Sequence, residues 1–135
     1  VTINNNKLMA YTKNRQFYDR YPELYFNNIS NNEIDYNKSF IANLTNFFRF
    51  GLPSDLSVVD NICRVFSNKY YYDNNMVFKS MNSVYALVYV SAIYNAHTDM
   101  TYDNFVKVYD EICKDVIVED YMRCVYNELQ NTSFL

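Results

Sequence analysis

The chain holds one glycine, Gly51, two prolines, Pro22 and Pro53, one histidine, His97, and no tryptophan. Strands and tight turns lean on glycine and proline, so their scarcity points away from sheet-rich folds and toward helices. Three cysteines, Cys63, Cys113 and Cys124, form an odd set with no Cys-x-x-Cys spacing. That fits core packing in a reducing compartment better than a disulfide framework or a zinc site. His97 has no cysteine or carboxylate pair at ligand spacing, so no metal or catalytic-base role is assigned to it. No run of Lys or Arg exceeds two residues and the net charge is −3, which argues against a nucleic-acid partner and against strong attraction to anionic membrane. The longest apolar run, 84–94, is too short to span a bilayer and contains Tyr85, Tyr89, Ser91 and Tyr94. No signal-peptide pattern is read at the start of the chain. There is no glycine-rich phosphate loop and no nucleophile motif, so no cofactor and no bond-making chemistry are expected.

What is abundant is apolar and aromatic. Half of the 135 residues are hydrophobic, with 15 Tyr and 10 Phe, the opposite of a disordered composition and enough for one domain over 1–135. The many Asn and Tyr are assigned to an AT-rich gene, and the Asn-x-Ser/Thr sequons at Asn28, Asn37, Asn43 and Asn131 to chance in an Asn-rich chain. Residues 8–13 read as a helix remnant, 17–27 as a segment whose helix is confined to the turns around Pro22, and 28–32 as a polar break. Asp35 or Asn37 is expected to cap a helix carrying Phe40, Ile41, Leu44, Phe47 and Phe48, ended by Gly51. Ser54 is the expected cap of the next helix, with an apolar stripe of Leu56, Val59, Ile62, Cys63, Phe66 and Tyr70, and 72–75 is read as a loop. Residues 83–95 are apolar on nearly all sides (Val84, Leu87, Val88, Val90, Ala92, Ile93), which predicts a central helix. Thr101 opens a helix with Phe105, Val106, Val108, Tyr109, Ile112 and Cys113 inward. After Val116-Ile117-Val118 comes a last one with Tyr121, Met122, Val125, Tyr126 and Leu129 inward. The fold class is all-α, a single domain of about five to seven helices.

Two blocks carry functional information. The first, Phe48-Arg49-Phe50-Gly51-Leu52-Pro53-Ser54-Asp55 followed by Val59-Asp60, is a helix end, a tight proline loop and a new helix opening on an acid. The second is Val84, Tyr85, Leu87, Tyr89 and Asn95, followed by Met100, Thr101 and Phe105, with a closing pattern from Met122 to Phe134. Together they resemble the Sec-seven domain, the Arf-type guanine-nucleotide exchange module of cytohesins and large Golgi exchange factors. The family's loop reads Phe-Arg-Leu-Pro-Gly-Glu before its Ile-Asp. Leu52, Pro53, Val59 and Asp60 fall in that register, and Asp55 stands where the family has glutamate. The likeness covers 37–134 in detail and 8–33 in outline, so the fold is expected to match the C-terminal two-thirds of such a domain. The loop after Asn95 is cut to Ala96-His97-Thr98-Asp99, and the shortened N-terminal side implies cover from an upstream segment, repacking or a homo-oligomer.

The resemblance implies a small GTPase of Arf type as partner, a cytoplasmic setting peripheral to Golgi or vesicle membranes, and guanine-nucleotide exchange as the activity. It makes Asp55 the catalytic finger and Phe50, Leu52, Pro53, Ile93, Tyr94, Asn95 and Met100 the GTPase-binding residues. In the family the loop acid competes with the β-phosphate for magnesium and the phosphate-loop lysine. Asp55 keeps that charge one methylene short, which implies weak exchange. Each assignment has a plainer counterpart: Asp55 as an acid favoured by the helix dipole by ~0.3–1 kcal/mol, Asn95 as a helix C-cap, and the aromatic and Met positions as core. Two other functions stand beside exchange: an inactive GTPase-binding interaction module, and a viral Bcl-type apoptosis inhibitor with a peptide groove along the 83–95 helix, although that family's Asn-Trp-Gly-Arg motif is absent.

Overall fold

A computed structural model describes residue 20 and residues 33–48, 56–73 and 77–132. Among them are five helices and no strand: α1 (Phe40–Phe47), α2 (Leu56–Asp73), α3 (Met81–Ala96), α4 (Tyr102–Ile112) and α5 (Glu119–Asn131). The all-α reading therefore holds. The expectations for 8–13, 17–27 and 28–32, and those for Gly51, Pro53 and Ser54, lie outside the described residues.

The N-cap of α1 is Ser39, not Asp35 or Asn37: its hydroxyl accepts from the Ala42 amide at 3.1 Å. Asp35 instead accepts from the Asn37 amide at 3.0 Å, closing a turn ahead of the helix. Asn43 is buried and pins that turn to α1. Its Oδ1 accepts from the Asp35 amide at 2.8 Å, and its Nδ2 donates to the Asp35 and Ser39 carbonyls at 2.9 and 3.0 Å. Helix α2 runs on through Asp73, so Tyr72, read as loop, is helical and 81% exposed. Its stripe is as expected at Ile62, Phe66 and Tyr70, all buried.

Helix α3 is the centre, packed against α2, α4 and α5. It begins at Met81 behind the cap Ser80, and even its serines are buried. Ser83 donates to the Ser80 carbonyl at 2.7 Å and Ser91 to the Leu87 carbonyl at 2.6 Å. By returning their hydrogen bonds to their own chain they remove the cost of burying hydroxyls. Thr101 caps α4 as expected, accepting from the Asn104 amide at 3.2 Å. Phe105, Tyr109 and Cys113 point inward, but Ile112 at the helix end is 38% exposed, against the expectation. Helix α5 has no side-chain cap; Glu119 and Asp120 in its first turn favour the dipole instead.

Aromatic rings fill the space between helices, meeting mostly edge to face as their quadrupoles prefer. One group joins Phe40, Phe47, Phe66, Tyr70 and Phe78 at centroid distances of 5.2 to 6.0 Å. A second joins Tyr94, Tyr102 and Phe105 to Tyr126, each at 5.5 Å. Among the described residues no buried side-chain polar atom lacks a hydrogen-bond partner, and no helix is long and apolar enough to cross a membrane.

Candidate functional site

Although α3 is apolar almost all round, one of its faces reaches the surface. Tyr85, Tyr89 and Ile93 recur at i, i+4 and i+8, the spacing that stacks side chains on one side of a helix. Tyr89 is 49% exposed, while Tyr85, Ala92 and Ile93 are half-buried. The Tyr85 and Tyr89 rings stack at 6.4 Å. This ridge is an apolar surface with two hydroxyls, a chemistry suited to a protein partner.

At its Tyr85 end the ridge is tied to the start of α2. The Tyr85 hydroxyl donates to Asp60 Oδ1 at 2.5 Å, and Arg64 Nε donates to Asp60 Oδ2 at 2.9 Å. The Arg64 guanidinium also lies over the Tyr85 ring, 4.7 Å from its centroid. These contacts bear on one another. Tyr85 and then Arg64 hold the Asp60 carboxyl below the usual carboxylate range. In return, hydrogen bonding to that carboxylate pushes the Tyr85 phenol up to about 12. Burial pushes the neighbouring Cys63 thiol up to about 12 as well, with the Asp60 charge adding to it, so Cys63 is not a nucleophile at neutral pH.

At the other end α3 closes through His97, whose amide donates to the Ile93 and Tyr94 carbonyls at 2.9 and 3.0 Å. The turn is fixed from α5, because the Tyr126 hydroxyl donates to the Met100 carbonyl at 2.6 Å. Ile93, Asn95 and Met100 are half-buried around this corner. Tyr94 is different: it is 3% exposed, with its ring 5.5 Å from Tyr126 and 6.5 Å from Phe105. Burial raises its phenol above the ordinary value. Phe50, Leu52, Pro53 and Asp55 lie outside the described residues. Among the described residues no group of His, Cys, Asp and Glu is arranged to hold a metal ion.

The model of the Sec7 (Sec-seven) domain matches residues 2–134. The chain belongs to the Sec7 domain family. The match begins well before the blocks that carry the likeness in detail, so the N-terminal part belongs to it too. No curated protein matches the chain. As a Sec7 domain it is an exchange-type module whose kind of partner is a small GTPase, and the Bcl-type reading falls away. In Sec7 terms the structure joins the two blocks: Asp60 closes the first, Tyr85 lies in the second, and they share a hydrogen bond.

Sequence reasoning did not single out the Asp60–Arg64–Tyr85–Tyr89 cluster. A signal was present, since Asp60 with Arg64 and Tyr85 with Tyr89 are each i, i+4 pairs. What joins the pairs is packing between two helices, which no local pattern encodes.

Proposed function

We propose that this Sec7 domain, taken as one unit over 1–135, binds an Arf-type GTPase and promotes GDP release, weakly because Asp55 replaces the family's glutamate. The observation that carries the reading is the family match over nearly the whole chain. The exposed ridge of α3 supports it, because GTPase switch regions need an apolar surface to rest on.

Tyr89 and Ile93 supply that surface, with Asn95 and Met100 at the corner where α3 ends. Phe50, Leu52 and Pro53 precede α2 in sequence, and Asp55 adjoins its first residue. Tyr85 and Arg64 hold Asp60, and with it the opening turns of α2, against α3. A finger next to α2 in sequence then works from a fixed base. Its carboxylate enters the nucleotide site of the partner and competes with the β-phosphate for magnesium. No bond is made or broken; the domain favours the nucleotide-free state by binding it more tightly. Tyr94 serves from beneath, holding Ile93 and Asn95 in place through its ring contacts rather than touching the partner. The setting that goes with this reading is the cytoplasmic face of Golgi or vesicle membranes.

The test is complex formation with nucleotide-stripped Arf-type GTPases, followed by gel filtration and reversed by added GDP. A stable complex is expected with the native chain, lost in Tyr89→Asp and Ile93→Asp. A complex equally stable in both variants moves the interface off α3, and no complex with any such GTPase contradicts the proposal.

A further inference from the structure

A second surface lies between α4 and the start of α5, and shares no residue with the α3 ridge. It is an open cleft of about 400 Å³ whose apolar floor includes Val106, Tyr109, Ile117 and Met122. Three carboxylates, Asp103, Asp110 and Glu119, line it, with no Lys or Arg among the described lining residues. The apolar surface continues outside. The connection 113–118 is neither helix nor strand, and Val116 on the cleft's rim and Val118 beyond it are 69% and 64% exposed. Among the other described valines and isoleucines only Ile112 is exposed, so Val116 and Val118 stand out as an exposed apolar edge.

Arg123 is already committed: it pairs with Glu119 at 3.1 Å and lies 4.1 Å above the Tyr102 ring. Small-molecule sites enclose most of their ligand. This cleft is open and runs onto an exposed edge, a shape suited to a chain segment laid across it. A helix laid in a groove presents anchors at i, i+3 and i+4 to the floor and flanking charges to the rim.

We propose that this cleft docks a basic amphipathic helix, with aliphatic anchors against Val106, Val116 and Ile117 and Lys or Arg against Asp103 and Asp110. Lys and Arg are scattered singly through these 135 residues, so the helix is not found among them. The docking does not depend on GTPase binding.

The probe is a fluorescent Leu/Lys peptide of about four helical turns, titrated into the full 135-residue chain and read by anisotropy, with a Leu/Glu peptide alongside. Saturable binding of the Leu/Lys peptide alone is expected, weakening with salt as rim charges dictate. Asp103→Lys with Asp110→Lys is expected to weaken it on the order of tenfold or more. Asp99→Lys with Glu111→Lys changes the net charge equally outside the lining and is expected to leave it intact. Val116→Ser, a surface change that spares the core, is expected to weaken it too. Equal loss in both charge variants would reduce the effect to bulk charge and overturn the docking site. Full affinity in Val116→Ser, or binding of the Leu/Glu peptide, would overturn it as well. So would a dimer of the free chain that Val116→Ser dissociates, since the occupant would then be a second copy.

Discussion

The Asp60 carboxylate receives two side-chain donors from different directions, Tyr85 across the helix interface and Arg64 one turn along. Tyr85→Phe removes the first and nothing else. A hydrogen bond to a charged group is worth about 1.5–3 kcal/mol when sheltered, and Asp60 is 39% exposed, so urea unfolding at neutral pH is expected to show a loss of about 1 kcal/mol. The sign of the pH dependence follows from the depressed carboxyl. The stabilisation is present above the ordinary pKa of a free aspartate, about 3.9, and is lost as pH falls through the lower folded-state value. The gap between native and Asp60→Asn proteins is therefore expected to close in acid and stay constant from pH 5 to neutrality; a gap that widens in acid would refute the assignment. The three thiols sort by environment too. Cys124 is exposed, Cys113 buried, and Cys63 held as the neutral thiol. A thiol reagent at neutral pH is expected to label Cys124 at once and the other two only in denaturant.

Among the helices, caps and apolar periods were legible wherever one candidate stood alone. Thr101 was read as the start of α4 and is its cap, so Thr101→Ala is expected to cost about 1 kcal/mol in denaturant unfolding, with Thr101→Asp near neutral. Before α1 three good cap residues crowd into 35–39, and local preference does not choose between them. A tertiary contact goes with Ser39, whose hydroxyl also donates to Glu128 on α5. The centrality of α3 was legible because it is apolar on nearly every side, and for the same reason its orientation was not. With no polar stripe to set the phase, Tyr94 and Ile93 read alike as partner-facing, yet Tyr94 enters the ring cluster and Ile93 stays half-buried. The cross-helix bond from Tyr85 to Asp60 spans 25 residues and has no periodic signature.

Across the whole molecule, the abundance of tyrosine has a thermodynamic consequence. Burial raises the phenols of Tyr70, Tyr109 and Tyr121 above their ordinary value, while Tyr85 is raised chiefly by its bond to Asp60. Groups raised on folding contribute stability that is fully present below the unfolded pKa, near 10, and is lost as pH climbs toward the folded value. Stability is expected to fall steeply above about pH 10, with the near-ultraviolet tyrosinate signal rising in two steps, the second coincident with loss of helix. A single step before any unfolding would show these phenols to be free. We propose that this Sec7 domain exchanges nucleotide with Asp55 as its finger. Release of fluorescent GDP from Arf-type GTPases tests it most directly, using the native chain, Asp55→Glu and Asp55→Lys. Slow but measurable acceleration is expected from the native chain, a rise of up to about 10²-fold with the longer acid, and none with lysine. No acceleration by the native chain or the glutamate variant, even in large excess over the GTPase, would contradict it.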